Sequence, residues 1–346
     1  MNTGDYLISE TATLLGCLQQ LNKLKRDLNL FVVNAEGKLL GSVTDGDIRR
    51  GILRGTGLDD SVQHVMNASC KYLVKDKIDL HLIKEQRNKA IKILPIVDQQ
   101  MRVIDLLSFD KVSTALPIDA VIMAGGKGTR LLPLTQKTPK PLLAIGDKPI
   151  IAYNLERIMR FGIKNIFITV NYLKEQIYDF VKSDKAFDTV RCIEEHQALG
   201  TIGALSLIQE WQNEYVLLTN SDLLTNIDYE DFFFDFLQSG SDMMVAAISY
   251  PIQVPYAILE TQGKAIKSFK EKPDYTYQAN TGIYLIKRQL LKYIPSNGFF
   301  NATDFMDTLL EKGHSISYYQ LVGYWLDIGK HEDFKKAQED IKHLRF

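Results

Sequence analysis

Ala120-Val121-Ile122-Met123-Ala124-Gly125-Gly126-Lys127-Gly128-Thr129-Arg130-Leu131-Leu132-Pro133-Leu134-Thr135 is the stretch around which the rest of the chain can be read. Its first five residues are an apolar run, short enough for a buried parallel strand, that empties directly into glycines. Gly125, Gly126 and Gly128 leave the backbone free of Cβ atoms and open to positive φ, so that consecutive N–H groups can turn inward around an anion. Lys127 and Arg130 add positive charge. A strand ending this way is a candidate phosphate site, with the three glycines and Thr129 as its backbone contacts.

Two better-known glycine loops do not fit. A P-loop needs Gly-Lys-Ser/Thr at its end, whereas here the lysine lies between glycines with no hydroxyl residue directly after it. The dinucleotide fingerprint fails because Leu131 stands where its third glycine belongs. The next segment, Thr138-Pro139-Lys140-Pro141-Leu142-Leu143, holds Lys140 between two prolines in stiff, extended backbone. Such a frame aims a flexible ammonium at a fixed point.

Taken together, G-G-K-G-T-R-L-x-P-L-T and the following P-K-P-L-L resemble the sugar-phosphate nucleotidyltransferase family, and most of all its mannose-1-phosphate guanylyltransferase-like branch. The resemblance runs, with gaps, from about Asp119 to about Asp333. It implies transfer of a nucleotidyl group from a nucleoside triphosphate to a sugar 1-phosphate, with Arg130 and Lys140 as the catalytic cations. Further stretches match the family. Glu195-His196-Gln197-Ala198-Leu199-Gly200-Thr201-Ile202-Gly203 resembles its E-x-x-x-L-G-T-A-G segment, which implies nucleotide contacts at Leu199, Gly200 and Thr201 and a sugar-phosphate contact at Gly203; Ile202 replaces the usual alanine. Phe269-Lys270-Glu271-Lys272-Pro273 resembles its E-K-P motif and Asn280-Thr281-Gly282-Ile283-Tyr284 its N-x-G-I-Y. By that resemblance Glu271 and Asn280 hold sugar hydroxyls and Lys272 the sugar phosphate. Pro255-Tyr256-Ala257 departs from the family's P-Y-G.

Two aspartates follow apolar runs. Tyr215-Val216-Leu217-Leu218-Thr219-Asn220 leads into Ser221-Asp222, and Tyr324-Trp325-Leu326-Asp327 leads into a helix from about His331. Either alone reads as a turn or helix-capping residue. Their resemblance to the family's strand-end Asp and W-x-D-x-G implies that Asp222 and Asp327 bind Mg²⁺, a cation that favours carboxylates plus phosphate oxygens.

At 346 residues and 45% hydrophobic content the chain is long enough for two domains. Its net charge of −1 gives no electrostatic case for nucleic acid or an anionic membrane. The three cysteines are dispersed, no metal-ligating histidine pattern occurs and no apolar run is membrane-length, so a reduced cytoplasmic protein is expected.

The first 115 residues hold an internal repeat: Leu30–Gly41 is echoed by Leu94–Asp105, each an apolar hairpin preceded by an amphipathic helix. The pair resembles tandem CBS repeats, small α+β units, with Ser42-Val43-Thr44-Asp45-Gly46-Asp47-Ile48 as the characteristic part. The resemblance implies that Thr44 and Asp47 bond the ribose of an AMP or ATP effector; alternatively the pair caps a helix and the module serves packing or oligomerisation. In the second copy Ser108 and Lys111 stand at the matching positions, without the carboxylate.

Domains are therefore expected at 1–115 and 116–346, the second an α/β fold with a doubly wound, mainly parallel sheet, since strands and helices alternate from Val121 onward. The expected helices run through Ile150–Phe161, Leu173–Val181 and Ala204–Glu210. The C-terminal helix carries Phe334, Ala337, Ile341 and Leu344 on one face, to pack on the core or on a second subunit; a homo-oligomer is expected. The glycine-loop wording favours GTP as the nucleotide. CBS repeats ahead of a transferase resemble the glucosamine-1-phosphate guanylyltransferases of bacterial legionaminic acid biosynthesis, which implies GDP-glucosamine as product. Uridylyl-, thymidylyl- or cytidylyl transfer to another hexose 1-phosphate, and a non-catalytic nucleotide sensor, stay open as alternatives.

Overall fold

The computed structural model describes residues 2–24, 28–75 and 77–344, and the chain divides into two compact units. One comprises Met1–Leu116 with Arg160–Gly162; the other comprises Pro117–Met159 with Ile163–Phe346. Among the described residues no helix is long and apolar enough to cross a membrane.

In the first unit each sequence repeat becomes a three-stranded sheet. Asn29–Val33 pairs antiparallel with Leu39–Thr44 and parallel with Leu7–Ser9; Ile93–Val97 pairs antiparallel with Val103–Ser108 and parallel with Leu73–Val74. The helices Leu14–Leu24 and Asp45–Leu53 flank the first sheet, and their faces meet it through Leu14, Cys17, Leu21, Leu30, Val43 and Ile48. The copies do bury apolar faces on one another, through Phe31, Leu39, Ile93 and Val97. Their hairpin tips also bond directly: Leu39 N–H donates to Met101 O at 2.9 Å and Val103 N–H to Gly37 O at 3.1 Å. Among the described residues the second copy has one helix, Leu80–Asn88; where the first copy follows its hairpin with Asp45–Leu53, the second has a turn at residues 109–111.

The second unit is built on a seven-stranded sheet. From one edge the strands are Val190–Glu194, Asn165–Val170, Ile118–Ala124, Tyr215–Asn220, Asp274–Lys287, Met243–Gln253 and Ile316–Gln320. The first four are mutually parallel; Asp274–Lys287 alone runs against both its neighbours. Ile118–Ala124 is buried at every position but Met123, as an apolar strand covered on both faces should be. The chain moves from it toward one edge and then returns to its other side at Tyr215–Asn220. That reversal is a topological switch point, where α/β sheets open a crevice at their carboxyl ends.

Helices Ile150–Arg160 and Lys174–Ser183 lie where the apolar spacing predicts them. The expected helix through Ala204–Glu210 does not form. A single 3₁₀ turn over Gly203–Leu207 takes its place, its start held by tertiary contact: the N–H groups of Ile202 and Gly203 both donate to Phe300 O. Beyond it, Gln212 and Asn213 N–H groups are drawn to the buried Asp119 carboxylate at 2.8 and 3.0 Å, which ends any helical run. The C-terminal helix His331–Asp340 packs on the core rather than standing free. Ala337 is fully buried, with Phe334 and Ile341 against Leu143, Ile145 and Tyr153.

Candidate active site

The glycine loop leaves Ala124 at the sheet's switch point, and its shape is enforced by what lies behind it. Gly128 takes φ 62°, with the Thr135 hydroxyl donating to its carbonyl at 2.8 Å. Gly125 lies directly over the Glu195 carboxylate; a Cβ there would stand 2.6 Å from Oε1. Gly126 by contrast has open space around it. One glycine is thus required by a protein neighbour, and the next leaves room for a ligand.

These residues wall a cavity of about 420 Å³, a size suited to a small-molecule ligand. Gly125, Gly126, Gly128, Thr129, Arg130, Lys140, Leu199, Gly200, Thr201 and Asp222 all line it. Another part of the wall is Leu199–Thr201, laid against residues 299–300. Gly200 has φ 76°, and a Cβ on it would come within 2.5 Å of Phe300 O. The Thr201 hydroxyl accepts from Ala302 N–H at 2.8 Å, so its side chain caps the helix Ala302–Glu311 while its backbone faces the cavity edge. Gly203 lies beneath, where a Cβ would meet Gly298 O at 2.5 Å, and does not reach the cavity surface.

At the cavity floor, Lys140 is drawn in from its proline frame and is only 8% exposed. Its ammonium donates to Asp222 Oδ2 and lies 3.9 Å from Asp327 Oδ1. The two aspartates are neighbours because Leu223–Thr225 pairs antiparallel with Trp325–Asp327 and Ile328 N–H donates to Asp222 O at 3.1 Å. Arg130 crosses above Gly329, its Nη1 3.3 Å from where a Cβ would be. Burial raises the Asp327 carboxyl above its ordinary value and the Asp222 charge raises it further, against the opposing pull of Lys140 and Arg130. Asp222 Oδ1 is buried with no hydrogen-bond partner.

An orphaned carboxylate oxygen beside a second carboxylate is a donor set short of positive charge. Mg²⁺ fits it, since that ion takes one or two carboxylates and completes its shell with phosphate oxygens and water. Among the described residues no group of three or more His, Cys, Asp or Glu side chains gathers for a metal, so the pair would act with a ligand's own oxygens.

Sequence reading gives no role to Glu195, Thr169, Asn220, Ser221 or Phe299, all of which line the cavity. Glu195 is buried, and that burial pushes its carboxyl up, against hydrogen bonds from Thr169 and from Leu199 N–H, the latter at 3.3 Å. Its signal was present in the E-x-x-x-L spacing, which lets the carboxylate reach the N–H four residues on. Phe299 has no such signal.

The sugar-phosphate candidates divide. Asn220 packs against Gly282, where φ is 77° and a Cβ would be 2.4 Å from Asn220 Nδ2, which sets the Asn280–Gly282 turn beside the site. Asn280 itself accepts from Gly282 N–H at 2.9 Å and donates to Tyr284 Oη at 2.9 Å. Glu271 and Lys272 are exposed and do not line the cavity.

In the N-terminal unit, Thr44 and Asp47 serve each other. Thr44 N–H and hydroxyl donate to Asp47 Oδ2 at 2.9 and 2.6 Å, Asp47 N–H returns a bond to Thr44 Oγ1 at 3.2 Å, and Arg50 adds an ion pair at 2.5 Å. This is a full capping box on the helix Asp45–Leu53.

A mannose-1-phosphate guanyltransferase beta-A of Xenopus laevis is 28% identical over 224 residues, 62% of each chain. A mannose-1-phosphate guanylyltransferase catalytic subunit beta of Danio rerio is 27% identical over the same share. The chain thus spans less than two thirds of the length of these curated relatives. Among solved structures, HddC from Yersinia pseudotuberculosis superposes with TM-score 0.51 at 28% identity, covering 64% of this chain and 99% of that one. A second structure of it, in complex with GMP-PN, gives TM-score 0.51 at 27% identity with the same coverage. A CBS domain model matches residues 1–54, and the nucleotidyl transferase model matches residues 119–343; with more than half of its length so matched, the chain belongs to the nucleotidyl transferase family.

Proposed function

We propose that this protein joins a sugar 1-phosphate to GTP, releasing pyrophosphate and a GDP-sugar, with glucosamine 1-phosphate as the sugar substrate. The observation that carries the reading is the Lys140 ammonium held on Asp222 and beside Asp327, in one cavity with a glycine loop that has one open glycine. In such a reaction a phosphate oxygen of the sugar 1-phosphate attacks the α-phosphorus and pyrophosphate leaves, so no protein nucleophile is needed. Catalysis comes from positioning and from neutralising charge that builds in the transition state.

The loop N–H groups and Arg130 bind the triphosphate. Lys140, desolvated and fixed between carboxylates, holds its charge where the α-phosphoryl group reacts. Asp222 and Asp327 would hold Mg²⁺, which supplies Lewis-acid charge to phosphate oxygens when bound. Glu195 keeps Gly125 and Leu199 at a fixed spacing. Guanine as the base is supported by the guanylyltransferase names of the relatives and by the GMP-PN complex of HddC. Glucosamine rests on the CBS module standing ahead of the transferase; mannose 1-phosphate, the substrate named for the relatives, is its competitor. AMP or ATP is the proposed effector at Thr44 and Asp47.

Pyrophosphate release from GTP, UTP, dTTP, CTP and ATP, each against glucosamine-, mannose- and glucose-1-phosphate with Mg²⁺ and with or without AMP, tests this. Release confined to GTP with glucosamine 1-phosphate is expected. Release with another pair reassigns the substrates. No release from folded protein that binds GTP overturns the enzyme in favour of a sensor.

A further inference from the structure

The chain between the glycine loop and Lys140 has little regular structure of its own. It makes three separate 3₁₀ turns, Thr129–Leu131, Leu134–Gln136 and Lys140–Leu142, and contributes no strand to a sheet. Such turns are short and their hydrogen bonds poorly aligned, so they do not by themselves hold a side chain in one place. A charge that stabilises a transition state has to be in place beforehand. Near its start the segment meets His331, whose Nε2 lies 2.9 Å from Leu132 O. Its middle is held from outside at three consecutive carbonyls. The Tyr172 hydroxyl donates to Thr135 O and Gln136 O, 3.1 Å from each, and Gln176 Nε2 donates to Lys137 O at 2.9 Å. Both side chains come from the corner where the strand Asn165–Val170 turns into the helix Lys174–Ser183.

What these two side chains hold leads directly to Lys140. Thr135 is fully buried, and its hydroxyl donates to Gly128 O at 2.8 Å. A Cβ on Gly128 would stand 3.0 Å from Thr135 Cγ2 and 3.1 Å from Lys140 Cβ, so Thr135, Gly128 and the stem of Lys140 are packed together. Close-packed interiors transmit a displacement instead of absorbing it. A shift of residues 135–137 therefore reaches Lys140 by two routes, through this packing and through the three peptide bonds after Lys137. The corner that does the holding is itself tightly fixed. Asn171 Nδ2 donates to Glu195 O, Lys174 pairs with Glu194, and Leu173 takes φ 50°, a left-handed conformation that leucine adopts only where its surroundings impose it. Neither Tyr172 nor Gln176 lines the cavity.

We propose that Tyr172 and Gln176 are positioning residues for nucleotidyl transfer: through the carbonyls of residues 135–137 they fix where Lys140 enters the cavity, without touching a substrate. The Asp222 carboxylate holds the ammonium end of Lys140, and the clamp holds its backbone end. The inference rests on the nucleotidyl-transfer reading above, in which Lys140 acts at the α-phosphoryl group.

Tyr172→Phe removes one hydroxyl and keeps the ring. Its kcat should fall about tenfold while the KM for GTP rises no more than about threefold, because a misplaced charge is felt mainly in the transition state. Gln176→Ala, at the other end of the clamp, should show the same pattern at smaller size, and serves if Tyr172→Phe does not fold. A cycle with Lys140→Ala separates positioning from a general structural role. Once Lys140 is gone the clamp has nothing to aim, so adding Tyr172→Phe should cost less than about threefold more. A full tenfold loss in both backgrounds would place the effect elsewhere and overturn the proposal, as would native kcat in Tyr172→Phe/Gln176→Ala. If the native chain releases no pyrophosphate, the reaction reading falls by itself, and amide hydrogen exchange decides the clamp. Exchange over residues 129–137 should then be at least about tenfold faster in Tyr172→Phe/Gln176→Ala, and unchanged exchange overturns it.

Discussion

Two strand-to-helix corners of this molecule carry polar motifs, and they differ in what is left over. At Thr44–Asp47 every group has found a partner within four residues, and Arg50 closes the set. At the cavity, Lys140, Asp222 and Asp327 come from separate segments, Asp222 Oδ1 is left without a partner, and Asp327 is pushed toward its protonated form. A closed network has done its work by folding; an open one has interactions in reserve for a ligand. A ribose at Thr44 and Asp47 would have to displace the 2.6 Å bond between them, so its binding is weakened by that exchange.

The hardest test of this difference lies in the cavity. Arg130→Ala and Asp222→Asn should each reduce turnover at least about a hundredfold, the scale of losing one preorganised charge, with the circular-dichroism melt still cooperative. Near-native turnover in either would erase the distinction. The adjacent glycines sharpen it. Gly125→Ala must displace the buried Glu195 carboxylate and should lower both melting temperature and turnover, the latter by about tenfold or more. Gly126→Ala meets nothing within 4 Å, so its melting temperature should not move while the KM for GTP rises.

A closed network elsewhere is the control. Asp242 takes Lys287 at 2.9 Å and His314 at 3.1 Å, and Lys287 above all holds its carboxyl down to about 2. A depressed carboxyl contributes stability above its unfolded pKa and loses it as pH falls through the folded one. Asp242→Asn should therefore cost about 1 kcal/mol near neutral pH, discounted for the partial exposure of the site, without changing turnover. Denaturant titrations of the two proteins should converge between about pH 4 and pH 2. The smallest expected effect is at the first corner. Thr44→Ala should cost the N-terminal unit about 1 kcal/mol, the worth of a helix cap, seen in its urea midpoint. An AMP-induced rise in melting temperature that is large in the native chain and absent in Thr44→Ala would show that this corner opens readily, and would break the comparison.

Much of the transferase unit was legible. The run Ala120–Ala124 entering glycines gave the central strand and the loop, because strand burial and positive φ are local demands written in adjacent residues. The glycine loop, Lys140, the E-x-x-x-L segment and Asp222 placed ten candidates on one cavity, with Asp327 beside Lys140. The failures were equally local in cause: the Ala204–Glu210 pattern read as helix because nothing near it shows that Asp119 pulls Gln212 and Asn213 away. Thr201 lines the cavity, but no local pattern shows that Ala302 N–H occupies its hydroxyl.

By itself, then, the sequence determined the strands and helices from Val121 to Thr219 apart from Ala204–Glu210, where the chain turns on glycine, and which side chains have phosphate chemistry. These follow from φ preference and from hydrophobic periods of two and 3.6 residues. Only the tertiary structure decided that Lys140 meets Asp222 82 residues away, that Glu195 lies under Gly125, and that Glu271 and Lys272 stand exposed and off the cavity lining. Those neighbours are fixed by the order in which strands join the sheet, and that order is settled by packing between residues far apart in the chain.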